Sequence, residues 1–210
     1  MKQRPSSPSF ADLIVGHREE AKYERVERKI RCLGKTDVAR LLAMPLQNEQ
    51  AEFVRRIFLF SVFTGLAFAD VNKLRYCDIE TNNAGVHYIR QYRKKTGVES
   101  ITPLHPIAEQ KLSLYPLKDK TEDNPIFATS QSRMQIGMHL KAVGLACGIR
   151  QNLSFHVARH TFGTLTLEVG IPIESIAKMM GHSSIACTQI YAQITDQKIS
   201  RDMDRLMEKM

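Results

Sequence analysis

Three short segments in the last third of the chain hold residue types that could attack a phosphodiester. They are His156-Val157-Ala158-Arg159-His160, then Gly181-His182-Ser183, then Tyr191 within Thr188-Gln189-Ile190-Tyr191-Ala192. A phosphodiester resists nucleophiles because its charge repels them and negative charge builds on the nonbridging oxygens in the transition state. Such a reaction therefore needs preorganised cations and a positioned nucleophile. Arginine supplies a planar fork for two oxygens, histidine a donor or a proton acceptor, and a tyrosine phenol can become bonded to phosphorus. His156 and Arg159 are three apart, so a helix puts them on one face. His156 and His160 also have the spacing of two zinc ligands on a helix. Val157 stands where a metalloprotease carries glutamate, however, and Arg159 between them would repel a cation, so no metal is expected. Taken singly, each residue has a plainer reading: an exposed polar pair, a histidine at a helix exit, a tyrosine at a core edge.

The elements that must position these groups are mostly helical. Thr36 is the expected N-cap of a helix over 37–44, stopped by Pro45. Glu49 to Thr64 carries the broad apolar stripe of a buried helix, ended by Gly65, and Ala67 to Leu74 reads as a short further helix. Val86 to Tyr92 alternates, Lys94-Lys95-Thr96-Gly97 is a turn and Val98 to Leu104 returns. With Cys77-Asp78-Ile79 ahead of it, this region predicts a small three-stranded sheet. Helices are then expected at about 106–115, 131–147, 156–169, 172–180, 184–193 and 196–209. The fold class is mainly α with one small three-stranded antiparallel β-sheet.

The chain has 210 residues, 43% of them hydrophobic, enough for one sizeable core. A formal net charge of +8 favours a polyanionic partner, nucleic acid before an anionic membrane surface. Cys32, Cys77, Cys147 and Cys187 form no C-x-x-C pair, which argues against a zinc ribbon or a disulfide framework. The longest apolar run, Ile57 to Ala69, is too short and too interrupted to span a bilayer, and no signal core opens the chain. A cytoplasmic protein is expected. Residues 1–35 begin with a Pro- and Ser-rich stretch followed by dense charge, and read as a leader or as a linker from a preceding domain.

At every one of these points the sequence resembles the tyrosine recombinase (phage-type integrase) family. Ser154 to Thr164 is similar to that family's H-x-x-R-H-T-F-x-T segment, Ile176 to Ser184 to its L-G-H segment, and Thr188 to Tyr191 to its T-x-x-Y segment. Phe63-Thr64-Gly65-Leu66 with Asp70 to Leu74 resembles its first block, and Arg93-Lys94-Lys95-Thr96 its lysine hairpin. The likeness spans about 36–195, and it is greatest to integrases of integrative conjugative elements and conjugative transposons. It implies the catalytic-domain fold of that family over 36–194 and cleavage of double-stranded DNA through a 3′-phosphotyrosyl intermediate, with no cofactor, metal or ATP. Tyr191 would be the nucleophile, Arg159 and His182 would hold the nonbridging oxygens, and His156 would accept the phenol proton. Lys95, which directly precedes the threonine as the family's lysine usually does, would protonate the leaving 5′-oxygen. Asp70 and His160 would stand behind the reacting groups and orient them.

One position departs from the family. Its first arginine normally follows Thr-Gly-Leu, and here that place is Ala67. Losing one such donor typically costs roughly 3–4 kcal/mol in the transition state. The chain could be a weakened relative, could carry an engineered substitution, or could fill the gap with another arginine. Arg93 is the arginine expected to fill it, because it lies two residues before Lys95 and strand alternation would send both to one face. Lys73, Arg75, Arg90, Lys94, Arg133, Lys141 and Arg150 are candidates for phosphate contacts. The tail over 195–210 has Ile199, Met203, Leu206 and Met210 at helical spacing, an apolar stripe that needs a groove in cis or on a neighbouring copy. The resemblance implies a tetrameric synapse on DNA, a monomer without it, accessory DNA-bending proteins as possible partners, and a bacterial nucleoid as the place of action. Strand relaxation of the type IB topoisomerase kind and a DNA-binding module without catalysis remain as other readings.

Overall fold

The computed structural model describes residues 31–116, 121–192, 203–204 and 207–208. The leader before residue 31 and, apart from four positions, the tail helix from 195 lie outside the described residues.

Helix α1 spans Lys35–Ala43. It starts earlier than the sequence implies: Gly34, in extended conformation, is the N-cap, and Thr36 lies inside the first turn. Its end agrees with Pro45, since the residue before proline avoids helical ψ and Met44 sits at ψ 119. Helix α2, Glu49–Thr64, is capped by the Asn48 side chain, which accepts from Ala51 N–H, and ends at Gly65 with φ 70. It is the central helix, with Ile57 through Val62 all buried. On one side Val54, Phe58 and Leu59 pack with α1 and with Ile136, Leu140, Val143, Val157 and Ala158. On the other, Ile57 and Phe60 pack with Leu66, Val71, Leu74, Ile89, Ile126 and Phe127.

After the short helix α3, Phe68–Val71, a 3-10 turn at Tyr76–Asp78 leads into the sheet. Cys77 and Asp78 thus belong to the turn rather than to a strand, and Asp78 is held there because its carboxylate accepts from the Arg75 backbone. Strands β1 (Ile79–Thr81), β2 (His87–Tyr92) and β3 (Glu99–Pro103) form an antiparallel sheet in the order β1-β2-β3. Ile89 pairs with Thr102 and Gln91 with Ser100, so these buried residues share the inward face.

Helices α4 (Pro106–Leu112), α5 (Arg133–Ala146), α6 (Phe155–Glu168), α7 (Ile173–Met180) and α8 (Ala186–Gln189) follow. Ser132 and Gln135 form a capping box at α5, and Ser154 caps α6 by accepting from Val157 N–H. Helix α3 is half the length expected from sequence, and α8 covers four residues rather than ten. Helix α7 lies against the inward face of the sheet, where Ser100 and Thr102 hydroxyls both donate to the Met179 carbonyl. No helix among the described residues is long and apolar enough to cross a membrane.

Candidate active site

The carboxyl end of α7 is where the site is assembled. Its last carbonyls have no partner within the helix and carry its negative dipole end, so they attract cations and donors. Ser100 and Thr102 take Met179 O, the guanidinium of Arg159 takes Met180 O, and Arg93 and Thr96 take Gly181 O. Two distant parts of the chain, α6 and the β2–β3 hairpin, are thereby tied to the end of α7. Gly181 makes this possible in two ways. Its φ is 58, and a Cβ there would lie 2.5 Å from Cδ of Arg93.

Arg159 projects from the middle of α6 and is 6% exposed. Besides Met180 O it donates to Gly65 O at the end of α2. Burial, then the nearby Arg93, pulls its pKa down to about 10, while Tyr191 and Asp70 act in the opposite sense. It stays charged at neutral pH. Arg93 donates to Asp70 at 3.4 Å and to Gly181 O at 3.3 Å, and its side chain is largely buried. Asp70 also accepts from the Lys94 backbone at 2.8 Å and lies 3.9 Å from the Lys73 amine. This buried carboxylate therefore anchors the base of the hairpin.

His182 follows α7 directly, with its backbone N–H bonded to Ala177 O. Its Nδ1 meets the Thr188 hydroxyl at 2.7 Å, a role the sequence did not suggest for Thr188. Burial, then Arg159 and Arg93, lowers its pKa to about 4, so it is neutral near pH 7. Tyr191 is 8% exposed and packs with Phe162, Ile176 and Met180. Burial pushes its phenol up to about 12 although Arg159 and Arg93 pull the other way. The phenol oxygen lies 2.9 Å from Nδ1 of His160, and the His156 and His160 rings meet edge to face with their centroids 4.0 Å apart. His156 itself is exposed. The side chain in contact with the tyrosine is thus His160, whereas the sequence pointed to His156.

The hairpin differs from expectation in one respect. Strand β2 ends at Tyr92, and residues 94–96 form a turn closed by Gly97 N–H to Arg93 O at 2.9 Å. Strand alternation cannot carry Lys95 to the face of Arg93. Arg93 continues the inward parity of Ile89 and Gln91, and Lys95 stands exposed at the tip. Ala67, at the start of α3, adds no donor.

The basic residues proposed for phosphate contacts divide into two groups. Arg90 is held between Glu80 and Glu99, Arg75 between Asp78 and Asp123, and the Lys73 amine donates to Tyr92 O. Lys94, Arg133, Lys141 and Arg150 are exposed.

This geometry can be set beside known proteins. Residues 31–198 match the phage integrase family. A tyrosine recombinase of Pseudothermotoga lettingae is 26% identical over 182 residues, covering 83% of this chain and 60% of that protein. The catalytic domain of bacteriophage HP1 integrase superposes with a TM-score of 0.60 at 18% identity, covering 84% of this chain and 95% of that one. The XerH site-specific recombinase bound to difH substrate gives a TM-score of 0.63 at 18% identity, covering 83% and 54%. The chain spans about three fifths of the length of the curated relatives it matches. With the match running through most of its residues and the fold shared, the chain belongs to the phage integrase family.

Proposed function

We propose that this chain is the catalytic domain of a site-specific DNA recombinase that cleaves and rejoins duplex DNA through a 3′-phosphotyrosyl intermediate. The observation that carries the reading is the gathering of Arg159, Arg93, His182 and Tyr191 at one place, close enough that the two guanidiniums act on both the imidazole and the phenol. In the proposed reaction the phenol oxygen bonds to phosphorus as the bond to the 5′-oxygen breaks. Arg159 and Arg93 hold the nonbridging oxygens, His182 donates a further hydrogen bond, and exposed His156 reaches the phosphate from the same face of α6. Lys95, at the tip of its turn, delivers a proton to the leaving oxygen. The phosphotyrosyl bond retains the energy needed for rejoining, so the chemistry runs without ATP.

Arg93 stands in for the arginine absent at Ala67. Its support is the guanidinium lodged between Asp70 and Gly181 O beside Arg159. Arg93→Ala is expected to abolish cleavage while duplex binding persists, and near-normal cleavage would exclude the assignment.

On DNA the domain is proposed to work as a tetramer in the nucleoid. An apolar depression of about 560 Å³ lined by Leu167, Ile171, Pro172, Ile173 and Ala192 offers a seat for the tail stripe of a neighbouring copy.

Ala67 favours a second reading, a DNA-binding module without catalysis. A duplex nicked beside the scissile phosphate separates the two, because the released fragment diffuses away and traps the intermediate. Covalent adduct supports the recombinase. A gel shift with no adduct supports the module.

A further inference from the structure

We infer that His160 is the group that takes the phenol proton from Tyr191 during attack and returns it on rejoining, and that Gly163 is the seat that brings the phenol within its reach. This rests on the recombinase reading above and adds to it the proton's acceptor and the residue that positions the nucleophile.

Three observations carry it. Among the described residues the Tyr191 hydroxyl hydrogen-bonds to His160 Nδ1, at 2.9 Å, with the two rings 5.4 Å apart and inclined at 64°. The other two histidines of the site are otherwise engaged: His182 Nδ1 faces the Thr188 hydroxyl, and His156 meets the ring of His160. The third concerns the helix surface beneath the tyrosine. A Cβ on Gly163 would lie 2.8–2.9 Å from Cε2, Cδ2 and Cζ of the Tyr191 ring. No such contact is tolerable, so the ring lies against α6 because residue 163 has no side chain. His160 and Gly163 are three apart and share that face of the helix. The Cδ2–Cε2–Cζ edge of the ring is seated by Gly163, and the hydroxyl that Cζ carries is aimed at the imidazole.

The chemistry balances. The phenol oxygen forms a bond to phosphorus, its proton passes to the lone pair of His160 Nδ1, the bond from phosphorus to the 5′-oxygen breaks, and Lys95 protonates that oxygen. Rejoining runs each transfer backwards. Burial, then His156 and Arg159, lowers the His160 pKa to about 4, so its lone pair is available throughout the neutral range. A base that weak suffices because the phenol proton becomes far more acidic as its oxygen bonds to phosphorus. The incoming phosphate charge also strengthens the imidazole's hold on a proton. The titratable and charged groups acting on it are His156 and Arg159 on α6, with His182 and Tyr191 beside it, while Arg93 and Cys187 act on Tyr191 in turn.

The test uses the full chain and nicked duplexes selected from a randomised pool by adduct formation with the wild type. Single-turnover adduct rates are measured from pH 5.5 to 9. The wild type should be nearly flat with pH. His160→Ala should be slower by about 10²–10³-fold at pH 7 and should quicken as pH rises, because solvent must then take the proton. His160→Gln, which can hold the phenol but not remove its proton, should stay slow with the same rising profile. Gly163→Ala should slow the adduct by tenfold or more and displace the ring signals of ¹³C-labelled Tyr191 without DNA present. Recovery of His160→Gln to within threefold of wild type, or a flat profile for His160→Ala, would overturn the base assignment. Unmoved Tyr191 signals in Gly163→Ala would overturn the seat. Failure of the wild type to select any adduct-forming duplex would remove the recombinase reading itself, an outcome distinct from all of these.

Discussion

An arginine buried at position 159 does something that a lysine of equal charge could not. Its fork spans from Gly65 O to Met180 O, and so locks the end of α2 to the end of α7. Arg159→Lys is expected to keep DNA affinity within a few fold and to lose about 10²–10³ in adduct rate, measured on a nicked duplex beside a gel shift. The neighbouring histidines carry a pH signature. His160 and His182 are both lowered to about 4 from an ordinary value of 6.5. Below 6.5 the unfolded chain therefore binds protons that the folded chain refuses, and stability falls as pH drops through the window from 6.5 to 4. Thermal midpoints should decline between pH 7 and pH 5, and the decline should shrink in a His160→Gln, His182→Gln double variant. An unchanged slope in that variant would mean that other groups set the acid sensitivity.

At the scale of elements, the end of α7 is the junction on which the site depends. Gly181→Ala puts a side chain at φ 58 and against Arg93. The strain alone costs about 1–3 kcal/mol, and the displaced guanidinium should slow cleavage further than the fall in stability explains. Phe58, fully buried in α2, belongs to the core alone: Phe58→Ala should lose about 3–5 kcal/mol in denaturant unfolding with no direct effect on the reacting groups. Much of this level was legible in the residues. Helix α2 keeps the limits expected, Glu49 to Thr64 with Gly65 closing it, and Lys94 to Gly97 mark the hairpin turn because local chemistry decides both. What escaped depends on distant packing. The partner of Tyr191 is 31 residues away, and Arg93 meets Gly181 across 88 residues. No spacing rule reaches that far, and strand parity failed for Lys95 because the strand had already ended. Gly163 carried no signal at all, since its role is the absence of a side chain.

For the whole molecule the net charge of +8 matters more than any single contact. Arg75 and Arg90 are paired with carboxylates, so Lys94, Arg133, Lys141 and Arg150 are the exposed members of the set proposed to meet phosphates. Duplex affinity should fall steeply with salt, and removing Arg133 and Lys141 together should reduce the slope of log affinity against log salt by about 2. Substituting Arg90 should leave that slope unchanged. Removing the tail from residue 195 should leave single-site adduct formation intact while abolishing the joining of two duplexes, read by sedimentation of the DNA complexes and by recombinant product. The central claim is covalent chemistry at one phenol, and the most direct measurement is to digest a trapped protein–DNA adduct and find by mass spectrometry which residue carries the nucleotide. The account predicts a nucleotide on Tyr191 through its 3′-phosphate and none in Tyr191→Phe. A nucleotide on any other residue, or an undiminished adduct in Tyr191→Phe, would contradict it.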